Sequence, residues 1–154
     1  MILSFALPVM CCLKDGMQHF EDNFMFILPI RSTRNLITAY VRLFHGSKRG
    51  SAYVALDTGA TSTLLTPSLV QQLELEPTTA PYRIASATGV EMVRGYRLGC
   101  MQLGEEKLEN LEITAMPLPG QLQLDGLIGL NFLSHFIVTF DFQIMQVRME
   151  RIIA

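Results

Sequence analysis

A chain of 154 residues has room for one domain and a short extension, since domains commonly run about 100–200 residues. Hydrophobic residues make up 49% and charged ones 17%, enough for a core but sparse for a surface, which favours an apolar interface and hence an oligomer. A net charge of −2 gives no electrostatic basis for nucleic acid as a partner, and an odd count of three cysteines (Cys11, Cys12, Cys100) without CxxC spacing argues against a disulfide framework or a zinc site.

Met1 to Leu13 is apolar, broken by Pro8, and at about 13 residues is short for a membrane span. The first basic residue, Lys14, follows the apolar run where a secretory signal would have basic residues before it. Three readings stay open: a weak signal or anchor, a peripheral strand, or a true start downstream at Met17 or Met25, the last preferred. The expected location is the cytoplasm, with a periplasmic or membrane-anchored placement as the alternative through Met1–Leu13. Residues 1–30 are therefore set apart as an N-terminal extension, and 31–154 as the domain.

Phe24 to Ile30 suits an edge strand, because Pro29 would not fit a central one. Leu36 to Leu43 alternates, with Leu36, Thr38, Tyr40 and Arg42 on one face and Ile37, Ala39, Val41 and Leu43 on the other, the period-two pattern of a half-buried strand. Gly46 to Gly50 reads as a hairpin loop, and Ser51 to Leu56 as the returning strand. Thr66-Pro67 resembles an N-cap with proline at the first helical position, opening a short helix with a Leu69, Val70, Leu73 stripe. Tyr82–Ala85 and Val90–Leu98 flank Ser86-Ala87-Thr88-Gly89 as a hairpin with a small-residue tip. Another hairpin runs through Gly104–Lys107 into Leu108–Met116, and a short helix is expected near Leu130 or Asn131. Ile137–Phe142 and Ile144–Met149 are two further β-rich runs. Strands of this length with turns every ten residues or so predict an all-β domain with minor helix.

The chemistry concentrates at Val54-Ala55-Leu56-Asp57-Thr58-Gly59-Ala60, where an apolar strand runs into an acid, a hydroxyl and a glycine. Aspartate is disfavoured in strands and costly to bury unpaired, so its position there asks for a reason. One carboxylate is a poor peptidase, but two sharing a proton are a good one, because like charges a few ångströms apart cannot both ionise. The ionised member takes a proton from water while the protonated one polarises the scissile carbonyl. The chain holds a single Asp-Thr-Gly; Asp125-Gly126 and Asp141-Phe142 lack its context and are better placed to satisfy turns or loop amides. The second acid must then come from a second copy, which a twofold axis supplies without further sequence. A bare Asp-Thr-Gly arises by chance in about one such chain in thirty at ordinary residue usage. Its place after an apolar strand, and the distant Asp125-Gly126-Leu127-Ile128-Gly129, raise it well above chance.

Together, Leu56-Asp57-Thr58-Gly59-Ala60 and Leu127-Ile128-Gly129 resemble the retropepsin-like aspartic peptidases, and the string Asp125-Gly126-Leu127-Ile128-Gly129-Leu130-Asn131-Phe132-Leu133 is especially like the bacterial members. The resemblance spans roughly Leu36 to Arg151. It implies a small closed β-barrel-like fold with one or two short helices, active as a homodimer, that cleaves peptide bonds and needs no metal or organic cofactor. It implies that Asp57 is the catalytic acid, one per subunit, in a loop with Thr58, Gly59 and Ala60. Thr58 would hydrogen-bond across the dimer axis, and Gly59 would let backbone approach the carboxylates. Leu127, Ile128 and Gly129 would pack beneath the loop, and Ala85 to Glu91 would form a flap with Ala87, Thr88 and Gly89 at its tip. The substrate would be a peptide bound as an added β-strand. In this family a four-stranded sheet of chain termini commonly joins the dimer; Ile144–Ile153 supplies one candidate strand, and its N-terminal counterpart is not identified. Arg83, Arg94 and Arg97 read as solvated strand faces, and Cys100 as a small core residue. His19, His45 and His135 show no metal-ligand spacing. The competing reading is a non-catalytic dimeric peptide-binding module on the same fold, since a fold does not prove an activity.

Overall fold

A computed structural model of the chain describes residues 25–29, 31–33, 36–86 and 89–152. The Met1–Leu13 segment lies outside the described residues. Among the described residues no helix is long and apolar enough to cross a membrane.

The alternating stretch forms β3 (Leu36–His45), and a two-residue turn at Gly46-Ser47 returns it as β4 (Lys48–Leu56). The expected loop over 46–50 is thus shorter: Gly46 adopts φ +55, which glycine tolerates, so Lys48 pairs with His45 at once. After β4 come β5 (Thr63–Leu65), α1 (Pro67–Gln72) and the hairpin of β6 (Tyr82–Ser86) and β7 (Gly89–Leu103). The chain continues through β8 (Glu106–Ala115), a 3-10 turn at Gly120–Leu122, β9 (Gly126–Ile128), α2 (Leu130–Leu133), β10 (Phe136–Asp141) and β11 (Gln146–Arg151). Two more strands, β1 (Met25–Pro29) and β2 (Arg31–Thr33), precede β3.

β3 pairs with β4 on one edge and, through Val41–Phe44, with β7 on the other. Since β4, β9, β5, β8 and β7 follow one another in the same sheet, this pairing closes a six-stranded barrel, with β2 and β6 as outer additions. The closed all-β architecture expected from the sequence is the one observed. Its interior is filled by Val41, Leu43, Val54, Leu65, Leu98, Met101, Ile113 and Ile128, all essentially inaccessible to solvent, and α1 covers part of it with Leu69, Val70 and Leu73. Each such side chain contributes about 1.5–3 kcal/mol by leaving water. Cys100 is buried, as expected of a small core residue, and Arg83, Arg94 and Arg97 are exposed. Thr38, on the face opposite Ala39, Val41 and Leu43, is buried too, and its hydroxyl bonds to that of Tyr53 at 2.6 Å.

A separate three-stranded sheet has the order β1-β11-β10. Pro29 ends an edge strand, the position in a sheet where a residue without an N–H is tolerated. Part of the stretch set apart as an extension is therefore hydrogen-bonded to the C-terminal strand, Met25 opposite Glu150 and Pro29 opposite Gln146. Val147 and Met149 point into the core, and Arg151 binds the buried Glu106 of β8, its Nε donating to Oε2 at 2.8 Å. Phe142, Ile144 and Met145 stand exposed on the turn between β10 and β11, and Ile27, Ile137 and Ile152 are exposed on or beside the sheet. Asp141 fixes that turn, its Oδ1 accepting from the amides of Gln143 at 3.0 Å and Ile144 at 3.2 Å.

Candidate active site

β4 runs through the barrel wall with Val54 and Ala55 buried, flanked on its far side by β9 in parallel register: Val54 with Gly126, Ala55 with Leu127, Leu56 with Ile128. The amide of Asp57 donates to the Ile128 carbonyl at 2.9 Å, so the acid stands one residue past the strand, at the last rung of the ladder. Its side chain is half-buried. Oδ1 accepts from the Gly59 amide at 2.9 Å, and the Asp57 carbonyl accepts from Ala60 N at 3.3 Å, which turns the chain tightly around the carboxylate.

The glycine of this loop leaves room for the carboxylate that its own amide holds, and a side chain there would press on that carboxylate. A Cβ at Gly59 would lie 3.2 Å from Asp57 Oδ1, inside ordinary contact distance, while its φ is not in the left-handed region. Thr58 beside it is exposed, with no hydrogen bond to its hydroxyl among the described residues.

Leu127, Ile128 and Gly129 pass directly against the loop. Ile128 is fully buried, and Leu127 pairs with Leu64 of β5. Gly129 comes so near that an added Cβ would sit 2.5 Å from Ser62 C and O and 2.8 Å from Ala60 O. Just beyond it, Leu130 N donates to Ala60 O at 2.8 Å and Asn131 N to Thr61 O at 3.1 Å. α2 follows, anchored by the buried Phe132 and Leu133. The residues read as a supporting string and the residues read as a catalytic loop are thus brought together, about seventy positions apart in sequence, by backbone bonds on both sides.

Asp125 is not a second acid for this site. Its Oδ2 accepts from Tyr53 N at 2.8 Å, its own amide donates to Tyr53 O at 2.7 Å, and its carbonyl accepts from Thr66 N at 2.9 Å. It ties β4 to the start of α1, the turn-satisfying role expected of it, and Asp141 serves its own turn likewise. Among the described residues no three His, Cys, Asp or Glu side chains are grouped so as to hold a metal ion.

β6 and β7 form the hairpin read as a flap, in register Ser86 with Gly89, Ala85 with Val90 and Ile84 with Glu91. Ala87 and Thr88 lie outside the described residues. Gly89 has φ +140, a conformation that side chains disfavour, and Val90 and Met92 are exposed on the arm behind it. The base is held firmly: Tyr82 OH bonds Thr114 Oγ1 at 3.0 Å, Val93 is buried, and Gly95 N donates to Thr79 Oγ1 at 2.8 Å.

Two residues of this region escaped the sequence reading. Thr63 is fully buried at the loop's far end, and Asn131 meets it with its side chain. The only sequence signal was an asparagine in the first turn of a helix that directly follows Leu-Ile-Gly.

The comparisons with known proteins agree with this geometry. A family model described as aspartyl protease matches residues 48–132, which include Asp57, the hairpin and the Leu127–Gly129 segment. No curated protein matches the chain. The crystal structure of a retropepsin-like aspartic protease from Rickettsia conorii is similar over 83% of this chain and 91% of that one, with a TM-score of 0.59 and 18% identity. The chain thus belongs to the aspartyl protease family and has the retropepsin-like fold.

Proposed function

We propose that the chain is an aspartic endopeptidase that works as a homodimer, with Asp57 of each subunit forming one catalytic pair. The observation that carries this reading is the held carboxylate: Asp57 at the end of β4, fixed by Ile128 and Gly59, in the chain's single Asp-Thr-Gly. One ionised Asp57 takes a proton from water as the water oxygen bonds to the scissile carbonyl carbon. The protonated Asp57 of the partner subunit gives its proton to the carbonyl oxygen, and a tetrahedral diol forms. The Asp57 that took the water proton then gives it to the amide nitrogen, while the ionised Asp57 of the partner subunit takes a proton from a diol hydroxyl. The carbonyl re-forms, the C–N bond breaks, and an acid and an amine are released with the pair restored.

Thr58, exposed and without an intrachain partner among the described residues, is suited to a bond across the twofold axis. Exposed Ile27, Ile137 and Ile152 on or beside the terminal sheet offer apolar surface for a second copy. The β6–β7 hairpin is suited to close over an extended peptide and exclude water. Cleavage per mole of chain is expected to fall on dilution, in step with dimer dissociation followed by sedimentation. Cleavage that is unaffected while the protein becomes monomeric contradicts the shared site. Peptide binding without cleavage at every concentration favours the binding-module reading instead.

A further inference from the structure

Asn131 lies in the first turn of α2, yet its side chain reaches two other elements. Oδ1 accepts from both Thr63 N and Thr63 Oγ1, each at 2.8 Å, and Nδ2 donates to the Glu112 carbonyl of β8 at 2.6 Å. The Thr63 hydroxyl, having donated to Asn131, accepts from Gly129 N at 3.2 Å, so this buried group is used as both donor and acceptor. The segment from Asp57 to Thr63 is therefore pinned at one end by Asp57 N on Ile128 O and at the other by the Asn131 amide. Glu112 in turn pairs with Arg97 of β7, the strand whose opening residues carry the hairpin read as a flap.

We propose that Asn131 is a positioning residue for Asp57: its carboxamide fixes the far end of the catalytic loop and joins it to the β7–β8 pair that bears the flap. This rests on the reading of Asp57 as catalytic. The amide suits the junction because one end must accept two bonds and the other must donate, which neither Asp nor Leu does at neutral pH. A displaced loop leaves the substrate's binding surface largely in place but misaligns the carboxylates, so the loss falls on kcat.

The test uses full-length protein carrying Asn131→Asp, Thr63→Val or Thr63→Ser, at a temperature where circular dichroism shows each folded. Asn131→Asp keeps the acceptor for Thr63 but turns a second carboxylate oxygen toward the Glu112 carbonyl. Thr63→Val removes the hydroxyl, and Thr63→Ser retains it. The first two are expected to lower kcat about 10- to 100-fold with KM little changed, and Thr63→Ser to restore most of it. Protonating the new carboxyl returns a donor, so the kcat of Asn131→Asp relative to wild type is expected to rise as pH falls. Amide exchange over residues 57–63 is expected to quicken in Asn131→Asp and Thr63→Val. Unchanged exchange there, or a kcat ratio flat with pH, overturns the proposal. A wild type that cleaves nothing sinks the peptidase reading separately, and the exchange measurement still decides whether Asn131 holds the loop.

Discussion

Asp57→Asn is expected to lower peptide cleavage by about a thousandfold or more while leaving the melting temperature nearly unchanged. The fold tolerates the change because the asparagine Oδ1 can still accept from Gly59 N, the bond that Asp57 makes at 2.9 Å, and the backbone bond to Ile128 is untouched. The chemistry does not tolerate it: an amide neither removes a proton from water nor donates one as an acid. An unbiased peptide library, digested by wild type and variant over acidic to neutral pH, measures the loss and reports side-chain preference. Activity that survives in Asp57→Asn would show that another group performs the hydrolysis.

Gly129→Ala is expected to destabilise the domain by about 3 kcal/mol, near the upper end for a forced overpacking. The new methyl would meet Ser62 C and O at 2.5 Å and Ala60 O at 2.8 Å, all backbone atoms with no rotamer to escape into. Relief requires moving the loop off α2, which breaks the Leu130 N to Ala60 O bond and exposes the site. For a domain of this size the melting temperature should fall by about 6–12 °C. Gly120→Ala, where nothing lies within 4 Å of the added carbon, is the control expected to leave it unchanged. Equal melting temperatures for the two variants would mean that the close passage at Gly129 is not a constraint on the fold.

The long strands were legible because their burial alternates. In β3, Ala39, Val41 and Leu43 point inward as the period-two pattern required, and Pro29 marked an edge. The Asp57 loop was legible as a chemical anomaly, an acid at the end of an apolar strand. The three-residue strands β5 and β9 were not, since three residues are too few to display a period. Their existence depends on pairing with β4 and β8, far away in sequence, and on glycines at 126 and 129 that admit neighbouring backbone. A closed barrel was implied by the family resemblance, but the β3–β7 pairing that closes it was hidden for the same reason, because register between distant strands leaves no local trace. Asn131 and Thr63 were missed because a hydrogen-bonded pair of polar residues has no periodicity, and only the folded chain brings them together.

The central claim is that two Asp57 carboxylates, one from each subunit, act as one site. Mixing wild-type and Asp57→Asn chains, dissociated and reassociated at constant total concentration, tests it directly. If one site needs both carboxylates, activity follows the square of the wild-type fraction, and an equal mixture retains about one quarter of the activity of wild type alone. If each chain works alone, the same mixture retains about one half, and the shared site is contradicted.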